Sequence, residues 1–295
     1  MSTTPDPTDD RARLFAEHRS FLVGLAYRML GSVAEAEDAV QEAFVRVHGK
    51  SMEGVVSPRA WLATIVTRIC LDQLKSARAR RETYTGPWLP EPVRTDRPDA
   101  VVQPRDPAET ESLSLAFLVL LETLSPLERA VFLLHEVFDY THTEVAQILE
   151  RDEAAVRQLL HRARSHVKDG RPRFRTDPDR HRELLMKFLW ASGQGDLAGL
   201  ESMLAEHVVM TNDGGGKVHA ALKPVRGANR VARFLIGVAK KSPDAWAELA
   251  EINGEPGVVL RDPSGVTGAI SIRAEGDRIV EIDIVVNPDK LRALS

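Results

Sequence analysis

The middle of the chain reads Asp139-Tyr-Thr-His-Thr-Glu-Val-Ala-Gln-Ile-Leu-Glu150 and continues as Arg151-Asp-Glu-Ala-Ala-Val-Arg-Gln-Leu-Leu-His-Arg-Ala-Arg164, and these residues determine the local structure. Apolar residues recur at helical spacing in each half, and this periodicity predicts two short helices. A tight turn at 150–152 is expected to join them, with Asp152 as the N-cap of the second helix. The predicted buried stripe of that helix is Val156, Leu159, Leu160 and Ala163.

The outer face of the second helix is polar and largely basic. It carries Arg157, Gln158, His161, Arg162, Arg164 and Ser165. Arginine and glutamine side chains on one face of such a helix suit phosphate and base-edge contacts in the major groove of DNA. An ordinary surface hairpin with solvated arginines remains the alternative, since the turn lacks the glycine that many such motifs contain.

The basic residues are clustered although the chain of 295 residues has a formal net charge of −4. Residues 151–175 contain eight Arg or Lys against three acids, and residues 57–81 contain six against Asp72 alone. Two local basic patches predict two separate contacts with a polyanion rather than a protein coated in positive charge.

Several classes of protein are excluded by composition. Cys70 is the only cysteine, so a disulfide framework and a zinc site are not expected, and no metal or other cofactor is predicted. No segment approaches the roughly 20 apolar residues that a membrane span needs. The N-terminus is acidic and polar, unlike a signal peptide, so a cytoplasmic location without membrane contact is expected.

The first domain is predicted to be all helical over 11–83. One amphipathic helix should end near Gly31, and Ser32 should cap a second helix over 34–48. Ser57-Pro58 is typical of the start of a third helix. Residues 84–107 are rich in proline and should form an extended linker, with Trp88-Leu89 as apolar anchors.

The remainder is predicted to contain two further domains. Residues 108–170 should be all helical and include the two-helix motif. Residues 180–295 should contain three helices and place one of them on a curved antiparallel sheet, an α+β cone, with the glycine turn after Asn212 leading into the second strand. The predicted fold class is therefore multidomain, with two all-α domains and a C-terminal α+β domain.

Three segments within 11–170 resemble those of bacterial sigma factors of the extracytoplasmic-function group. Ala36-Glu-Asp-Ala-Val-Gln-Glu-Ala-Phe44 is similar to the region-two segment that grips the clamp helices of core RNA polymerase. Ala60-Trp-Leu-Ala-Thr-Ile-Val-Thr-Arg-Ile-Cys-Leu-Asp-Gln-Leu-Lys75 is similar to the segment that reads the −10 element. Leu124-Ser-Pro-Leu-Glu-Arg-Ala-Val-Phe132 with the two-helix motif is similar to region four, which reads the −35 element.

The resemblance implies a role for each residue set, with core RNA polymerase and promoter DNA as partners. Polymerase binding is assigned to Asp38, Gln41 and Glu42, whose acidic and amide face suits a basic patch. The −10 contacts are assigned to Arg68, Lys75 and Arg78. The −35 contacts are assigned to Arg157, Gln158, His161, Arg162 and Arg164. Trp61 could stack on an unpaired base, but a tryptophan on an apolar face is more often part of a core.

The last 115 residues or so resemble the SnoaL-like branch of the NTF2-like cone fold, which some sigma factors carry as a fused tail. Trp88-Leu-Pro-Glu-Pro92, Asp213-Gly-Gly-Gly-Lys217 and Asn287-Pro-Asp-Lys-Leu291 are similar to signatures of that subgroup. The resemblance implies regulation by the tail and no membrane-anchored anti-sigma partner. The predicted regulatory interdomain residues are Trp88, Asp213, Gly214, Gly215, Gly216, Lys217, Asn287, Pro288, Asp289 and Lys290.

Two other functions are weighed against this interpretation. Asp213-Gly-Gly-Gly-Lys217 lacks the spacing of a phosphate-binding loop and has Val218 where Ser or Thr would be needed. Asp213 and His219 could form the Asp/His pair of an enzymatic cone fused to a DNA-binding module, although a structural role is favoured. A repressor or activator that uses only the two-helix motif would leave the acidic helix and the second basic patch without a role. Whether the cone binds a small ligand stays open.

Overall fold

The computed structural model describes residues 7–48, 54–104, 107–170 and 177–294. For residues 7–11, 77–82, 107–108 and 169–170 it describes the backbone only. The chain divides into two compact units. Unit 1 comprises Met1–Arg80, Val101–Ser112 and Leu120–Gly170, and unit 2 comprises Arg81–Ala100, Leu113–Val119 and Arg171–Ser295. No helix within the described ranges is long and apolar enough to cross a lipid bilayer.

Unit 1 begins with three helices, α1 (Pro7–Leu30), α2 (Val33–Val47) and α3 (Pro58–Glu82). Helix α1 ends where predicted, because Gly31 takes a left-handed conformation with φ of 72°. Ser32 caps α2 by accepting a hydrogen bond from the backbone N–H of Glu35. The Ser57 hydroxyl accepts one from the backbone N–H of Ala60 at the start of α3.

The second set of helices contains the two-helix motif as predicted. It consists of α4 (Pro107–Glu111), α5 (Leu115–Leu121), α6 (Pro126–Phe132), a π-helical segment (Leu133–Val137), α7 (His142–Leu149) and α8 (Glu153–Gly170). Glu150 turns the chain with a φ of 52°, the conformation for which glycine is usual. Asp152 caps α8 by accepting from the backbone N–H of Ala155 at 2.7 Å. The missing glycine therefore does not prevent the turn.

Arg129 connects α6 to the end of α1 inside unit 1. Its guanidinium is buried and donates to the backbone carbonyl of Met29 at 2.6 Å, one of the last carbonyls of α1 that lack a helical partner. It also pairs with Glu122 at 2.7 Å. Burial lowers the pKa of Arg129 to about 10, which still leaves the side chain charged at neutral pH. A buried cation, paired through one end of its guanidinium, thus joins the two helical sets.

Unit 2 is a mixed sheet covered by helices, which confirms the predicted α+β class. Besides most of α5, it contains the helices α9 (Pro178–Gln194), α10 (Leu197–Met203) and α11 (Ala228–Lys241). Its strands are β1 (Leu204–Asp213), β2 (Val225–Arg226), β3 (Trp246–Ile252), β4 (Glu255–Asp262), β5 (Gly265–Glu275) and β6 (Arg278–Val285). The strand order is β2-β1-β6-β5-β4-β3.

Two details of the predicted cone are wrong. Strand β1 pairs with β6 in parallel, so the sheet is mixed rather than antiparallel. This pairing is possible because the chain between them, which contains α11 and strands β3 to β5, forms a long crossover. Strand β2 has only two residues and does not follow the glycine turn directly. The glycine turn therefore does not form a hairpin between two full strands.

Two apolar clusters hold unit 2 together. The first packs Leu185 and Phe188 of α9 and Leu235 of α11 against the strands. The second contains Leu89 of the proline-rich segment, which is 1% exposed and packs with residues such as Val285. Burying a leucine side chain contributes about 1.5–3 kcal/mol. The linker is therefore a structural part of this unit.

The linker also pairs with the edge of the sheet. Arg94 forms an isolated antiparallel bridge with Ile252 of β3. The backbone N–H of Thr95 donates to the carbonyl of Glu251 at 2.9 Å, and that of Asn253 donates to the carbonyl of Val93 at 2.8 Å. Apart from this bridge, residues 84–104 form no regular element, as their prolines predict.

Candidate functional site

The predicted −35 surface lies on one face of α8. The predicted inward residues Val156, Leu159, Leu160 and Ala163 are all buried, and the predicted outward residues Arg157, Gln158, His161, Arg162 and Arg164 are all exposed. The helix begins directly after the tight turn, so its basic face is presented by a rigid two-helix support. This is the arrangement that a recognition helix needs in a major groove.

Each arginine of that face is paired with a carboxylate in unit 1. Arg157 pairs with Glu153 at 3.1 Å, Arg162 with Glu128 at 3.1 Å and Arg164 with Glu136 at 2.6 Å. The pair between Arg157 and Glu153 is exposed on both sides, and such pairs contribute only about 0–1 kcal/mol, so it only weakly opposes exchange of the carboxylate for another anion.

Glu128 is the most enclosed of these carboxylates. Although burial opposes the shift, hydrogen bonds from Ser125 and the charge of Arg162 hold the pKa of Glu128 below its usual value. The carboxylate is thus ionised at neutral pH and pairs with Arg162 as an anion.

Arg68 of α3, predicted to contact the −10 element, contacts the two-helix motif in this structure. Its Nε donates to the backbone carbonyl of Ile148 at 3.2 Å, and its Nη2 lies 3.0 Å from a carboxylate oxygen of Glu150. The two elements predicted to read DNA therefore contact each other at the turn after α7. Lys75 pairs with Asp72 at 2.8 Å on the exposed side of α3.

Two further residues of α3 complete this description. Arg78 belongs to the helix, but its side chain lies outside the described residues. Trp61, favoured as a core residue, is only half-buried.

The predicted polymerase-binding residues form an exposed stripe on α2. Asp38, Gln41 and Glu42 are exposed, and Glu42 pairs with Arg46 at 2.5 Å. Val45 continues the same stripe at helical spacing and is 65% exposed. An apolar side chain inside an acidic stripe is suited to contact with another protein, and Val45 was not predicted as part of this surface.

Asp213 lies at the centre of the best-connected polar site in unit 2. Its side chain is fully buried, with 0% exposure. One carboxylate oxygen accepts from the hydroxyl of Tyr84 at 2.6 Å and from the backbone N–H of Gly215 at 3.1 Å. The other accepts from the backbone N–H of Leu89 at 2.9 Å and from the ammonium group of Lys290 at 2.7 Å. Two of these four donors belong to the linker.

Lys290 completes this site from the C-terminal motif. Its ammonium group donates to the carbonyl of Leu89 at 2.5 Å and lies 4.2 Å from the centre of the Trp88 ring. A cation over an indole face is a favourable contact, and more so when it is desolvated. Asn287 donates to the hydroxyl of Tyr84 at 2.8 Å. Burial, followed by the hydrogen bond to Asp213, raises the pKa of Tyr84 and keeps it protonated.

The glycines of this site allow close approach, as predicted. A Cβ atom on Gly215 would lie 2.4 Å from the Asn287 side chain. A Cβ atom on Gly216 would lie 2.9 Å from Thr85, and Gly216 has a φ of 70°. Lys217 does not bind Asp213 as Lys290 does. It lies at the surface and pairs with Asp289 at 2.5 Å.

The structure does not favour the predicted catalytic alternative. Both carboxylate oxygens of Asp213 accept hydrogen bonds from the linker or Lys290, whereas His219 is exposed. Among the described residues, no cluster of three His, Cys, Asp or Glu side chains could hold a metal ion.

Comparison with known proteins identifies the helical parts. Residues 14–80 match the family model of Sigma-70 region 2, and residues 114–167 match that of Sigma-70, region 4. The ECF RNA polymerase sigma factor SigJ of Mycobacterium tuberculosis is 39% identical over 290 residues, covering 94% of this chain and 91% of the relative. The chain belongs to the ECF sigma factors.

A second relative and a solved structure also match nearly the whole length of this sigma factor. The probable ECF RNA polymerase sigma factor SigI of M. tuberculosis is 34% identical over 284 residues, covering 94% of this chain and 93% of the relative. The crystal structure of M. tuberculosis SigJ is similar with a TM-score of 0.75 and 35% identity, covering 96% of this chain and 98% of that one. The C-terminal α+β unit therefore lies within the part of the chain that is similar in structure to SigJ.

We call Asp213 and its donors from Tyr84, Gly215, Leu89 and Lys290 the linker site. Two of these donors were not predicted from the sequence. Tyr84 precedes the quoted linker motif, and the Leu89 amide is a backbone group that no side-chain pattern marks. Lys290 was predicted for regulation, but its pairing with Asp213 was not. No sequence signal marks that pairing, because the motif 287–291 is mostly polar; only the burial of Lys290 in the structure shows that it needs a carboxylate partner.

Proposed function

We propose that this sigma factor directs core RNA polymerase to −35 and −10 promoter elements and is regulated by its C-terminal domain through the linker. The observation that carries the proposal is the buried carboxylate of Asp213, which binds Tyr84 and Leu89 of the linker while paired with Lys290. This site fixes the segment that connects regions two and four.

The physical basis is the reach of the linker. A free segment of 24 residues, 84–107, could span up to roughly 80 Å when extended. When residues 84–95 are bound to the cone, most of that reach is lost. Because polymerase binding requires regions two and four to separate, the docked linker biases an equilibrium between compact and open forms.

Contacts inside unit 1 support the same equilibrium. Arg68 binds Ile148 and Glu150, so a −10 contact by Arg68 requires it to leave the two-helix motif. The α8 arginines likewise exchange carboxylates for phosphates. Arg157, Gln158, His161, Arg162 and Arg164 would read the −35 element, and Arg68, Lys75 and Arg78 the −10 element.

Asp38, Gln41 and Glu42, together with the exposed Val45, would contact polymerase. Charge reversal of Asp38 and Glu42 should weaken binding to core polymerase, while the same reversal at the exposed Glu17 of α1 serves as the matched control. Unchanged core affinity of the double reversal would contradict the assignment.

The proposed setting follows from this mechanism. The protein would act in the cytoplasm with polymerase and promoter DNA, and without a dedicated anti-sigma factor, since the cone supplies the regulation. The cone would be a non-enzymatic regulator, because Asp213 is committed to the linker.

Transcription in vitro with core polymerase tests the regulatory role. We expect Asp213→Ala to change the amount of transcript without changing the preferred promoter. Lys217 was assigned to the same regulatory set from the sequence, but it forms only an exposed ion pair with Asp289; Lys217→Met is therefore the matched control and is expected to behave as wild type. Wild-type output from Asp213→Ala, measured over a range of polymerase concentrations, would contradict regulation through this site.

A further inference from the structure

A segment of the C-terminal unit outside the sigma regions is basic and free of acids. Residues 214–243 contain seven Lys or Arg and no Asp or Glu, in a chain whose net charge is −4. Neither the sigma-region matches nor the linker site accounts for this bias, because only Lys217 of the seven lies in the glycine motif. An uninterrupted excess of one charge on a folded surface is a feature of polyanion binding.

Helix α11 arranges four of these residues as one stripe. It buries Val231, Ala232 and Leu235 against the sheet and neighbouring helices. The helical period places its basic residues on the opposite, exposed face: Arg230, Arg233, Lys240 and Lys241. From the first to the last of these the stripe is about 16 Å long, at ~1.5 Å per residue.

The cations of this stripe are available, unlike the three paired arginines of the −35 surface on α8. Arg230, Lys240 and Lys241 make no hydrogen bond or ion pair with any residue that the structure describes. Arg233 donates to the neutral amide of Asn229, and Asn229 in turn donates to Glu201. A phosphate bound here displaces counterions without first breaking a carboxylate pair, which favours binding at low salt.

We propose that this basic stripe binds the sugar-phosphate backbone of duplex DNA, giving the sigma factor a DNA contact outside regions two and four. The contact is independent of sequence, because lysines and arginines on a convex helix face meet phosphates rather than base edges. It adds affinity to a promoter that the other regions select. The proposal goes beyond the regulatory role of the linker site and does not depend on it.

Other polyanions fit this face less well. A helix that lies on a membrane inserts an apolar face into the lipid, whereas the apolar face of α11 is buried in the protein core. Single-stranded nucleic acid is held by aromatic side chains on which bases stack. The stripe has none, and Phe234 of the same helix packs against the core.

The salt dependence of DNA binding tests the proposal. Full-length Arg230→Gln/Lys240→Gln/Lys241→Gln protein would be titrated, alone and as holoenzyme, against a fluorescent promoter duplex and a scrambled duplex. We expect the slope of log Kd against log salt to fall by about 2.7, at ~0.9 for each phosphate that is no longer neutralised. The difference in affinity from wild type should then shrink by roughly 40-fold between about 50 and 200 mM salt, equally for both duplexes.

The matched control is Arg180→Gln/Arg182→Gln/Lys187→Gln on α9, which changes the net charge equally at exposed residues paired with carboxylates. Arg230→Lys/Lys240→Arg/Lys241→Arg should keep the wild-type slope, which separates an effect of charge from an effect on folding. A slope change below about 1, or an equal change in the α9 control, would overturn the proposal. So would a triple glutamine variant that no longer binds phosphatidylglycerol vesicles but binds DNA as wild type does.

Discussion

Asp213→Ala removes the carboxylate that binds the linker and leaves the ammonium group of Lys290 in a buried place. The Lys290 side chain is 11% exposed and that of Asp213 is 0% exposed, so this pair is shielded from solvent. Removing one partner of a buried ion pair costs about 3–5 kcal/mol, mostly because the remaining charge is uncompensated. The hydrogen bonds from Tyr84 and from the Leu89 amide are removed as well.

The cost should appear as opening of the linker, since the linker supplies two of the four donors to Asp213. A decrease of about 3 kcal/mol in local opening free energy accelerates hydrogen exchange by roughly two orders of magnitude. We expect this acceleration at the backbone amides of Leu89, Val93 and Thr95 in the full-length protein, measured by exchange with mass spectrometry.

A double variant separates the uncompensated charge from the missing hydrogen bonds. Asp213→Ala/Lys290→Met removes both charges and should recover part of the protection, because an apolar side chain replaces the orphan ammonium group. Lys217→Met deletes only an exposed pair and should leave exchange unchanged. If Asp213→Ala left exchange at Leu89 unchanged, the carboxylate would not be what holds the linker.

Three further results are expected. Glu150→Gly should raise the free energy of unfolding by about 1 kcal/mol. Glycine relieves the strain of the left-handed conformation, and this gain is larger than the stabilisation lost with the exposed ion pair to Arg68. A clear loss of stability in urea denaturation would contradict this. Gly216→Ala should accelerate hydrogen exchange of the linker amides, because its methyl group would lie 2.9 Å from Thr85. Gly237→Ala is the control, because its methyl group meets nothing within 4 Å and should leave this exchange unchanged. Equal exchange rates in the two variants would refute the close-approach argument. Hydrogen bonds from Thr141 lower the pKa of Glu144 in the folded protein. The resulting contribution to stability is present above the unfolded pKa of about 4.3 and is lost as the pH falls through the lowered pKa of the folded state. The advantage of wild type over Glu144→Gln in thermal melts should therefore disappear in acid, and a constant difference would exclude the linkage.

The two-helix motif could be predicted in detail because its determinants are local. Helical spacing identified the buried stripe of α8, and Asp152 marked its N-terminus. The same holds for the end of α1 at Gly31 and the cap at Ser32. Such signals act over one or two turns, so the surrounding fold does not change them.

The linker site could be predicted only as a set of motifs. Asp213 and Lys290 are 77 residues apart, and Asp213 and Tyr84 are 129 apart, so no periodicity relates them. The parallel pairing of β1 with β6 was missed for the same reason, since strand alternation does not specify a distant partner. The pairing of Arg68 with Glu150 depends on how helices pack, which a count of basic residues does not report.

Leu89 lies in the second apolar cluster of the C-terminal unit, although it precedes region four in the chain. A gene that lost its 3′ portion would therefore encode a sigma factor that lacks the binding partners of Leu89 and Tyr84, and with them the ordered linker. Recombination that exchanged the tail alone would meet the same obstacle, because the incoming sheet must accept this particular linker. The regulator and the linker are thus expected to be inherited together, and single substitutions at their contact are the more accessible route by which regulation changes.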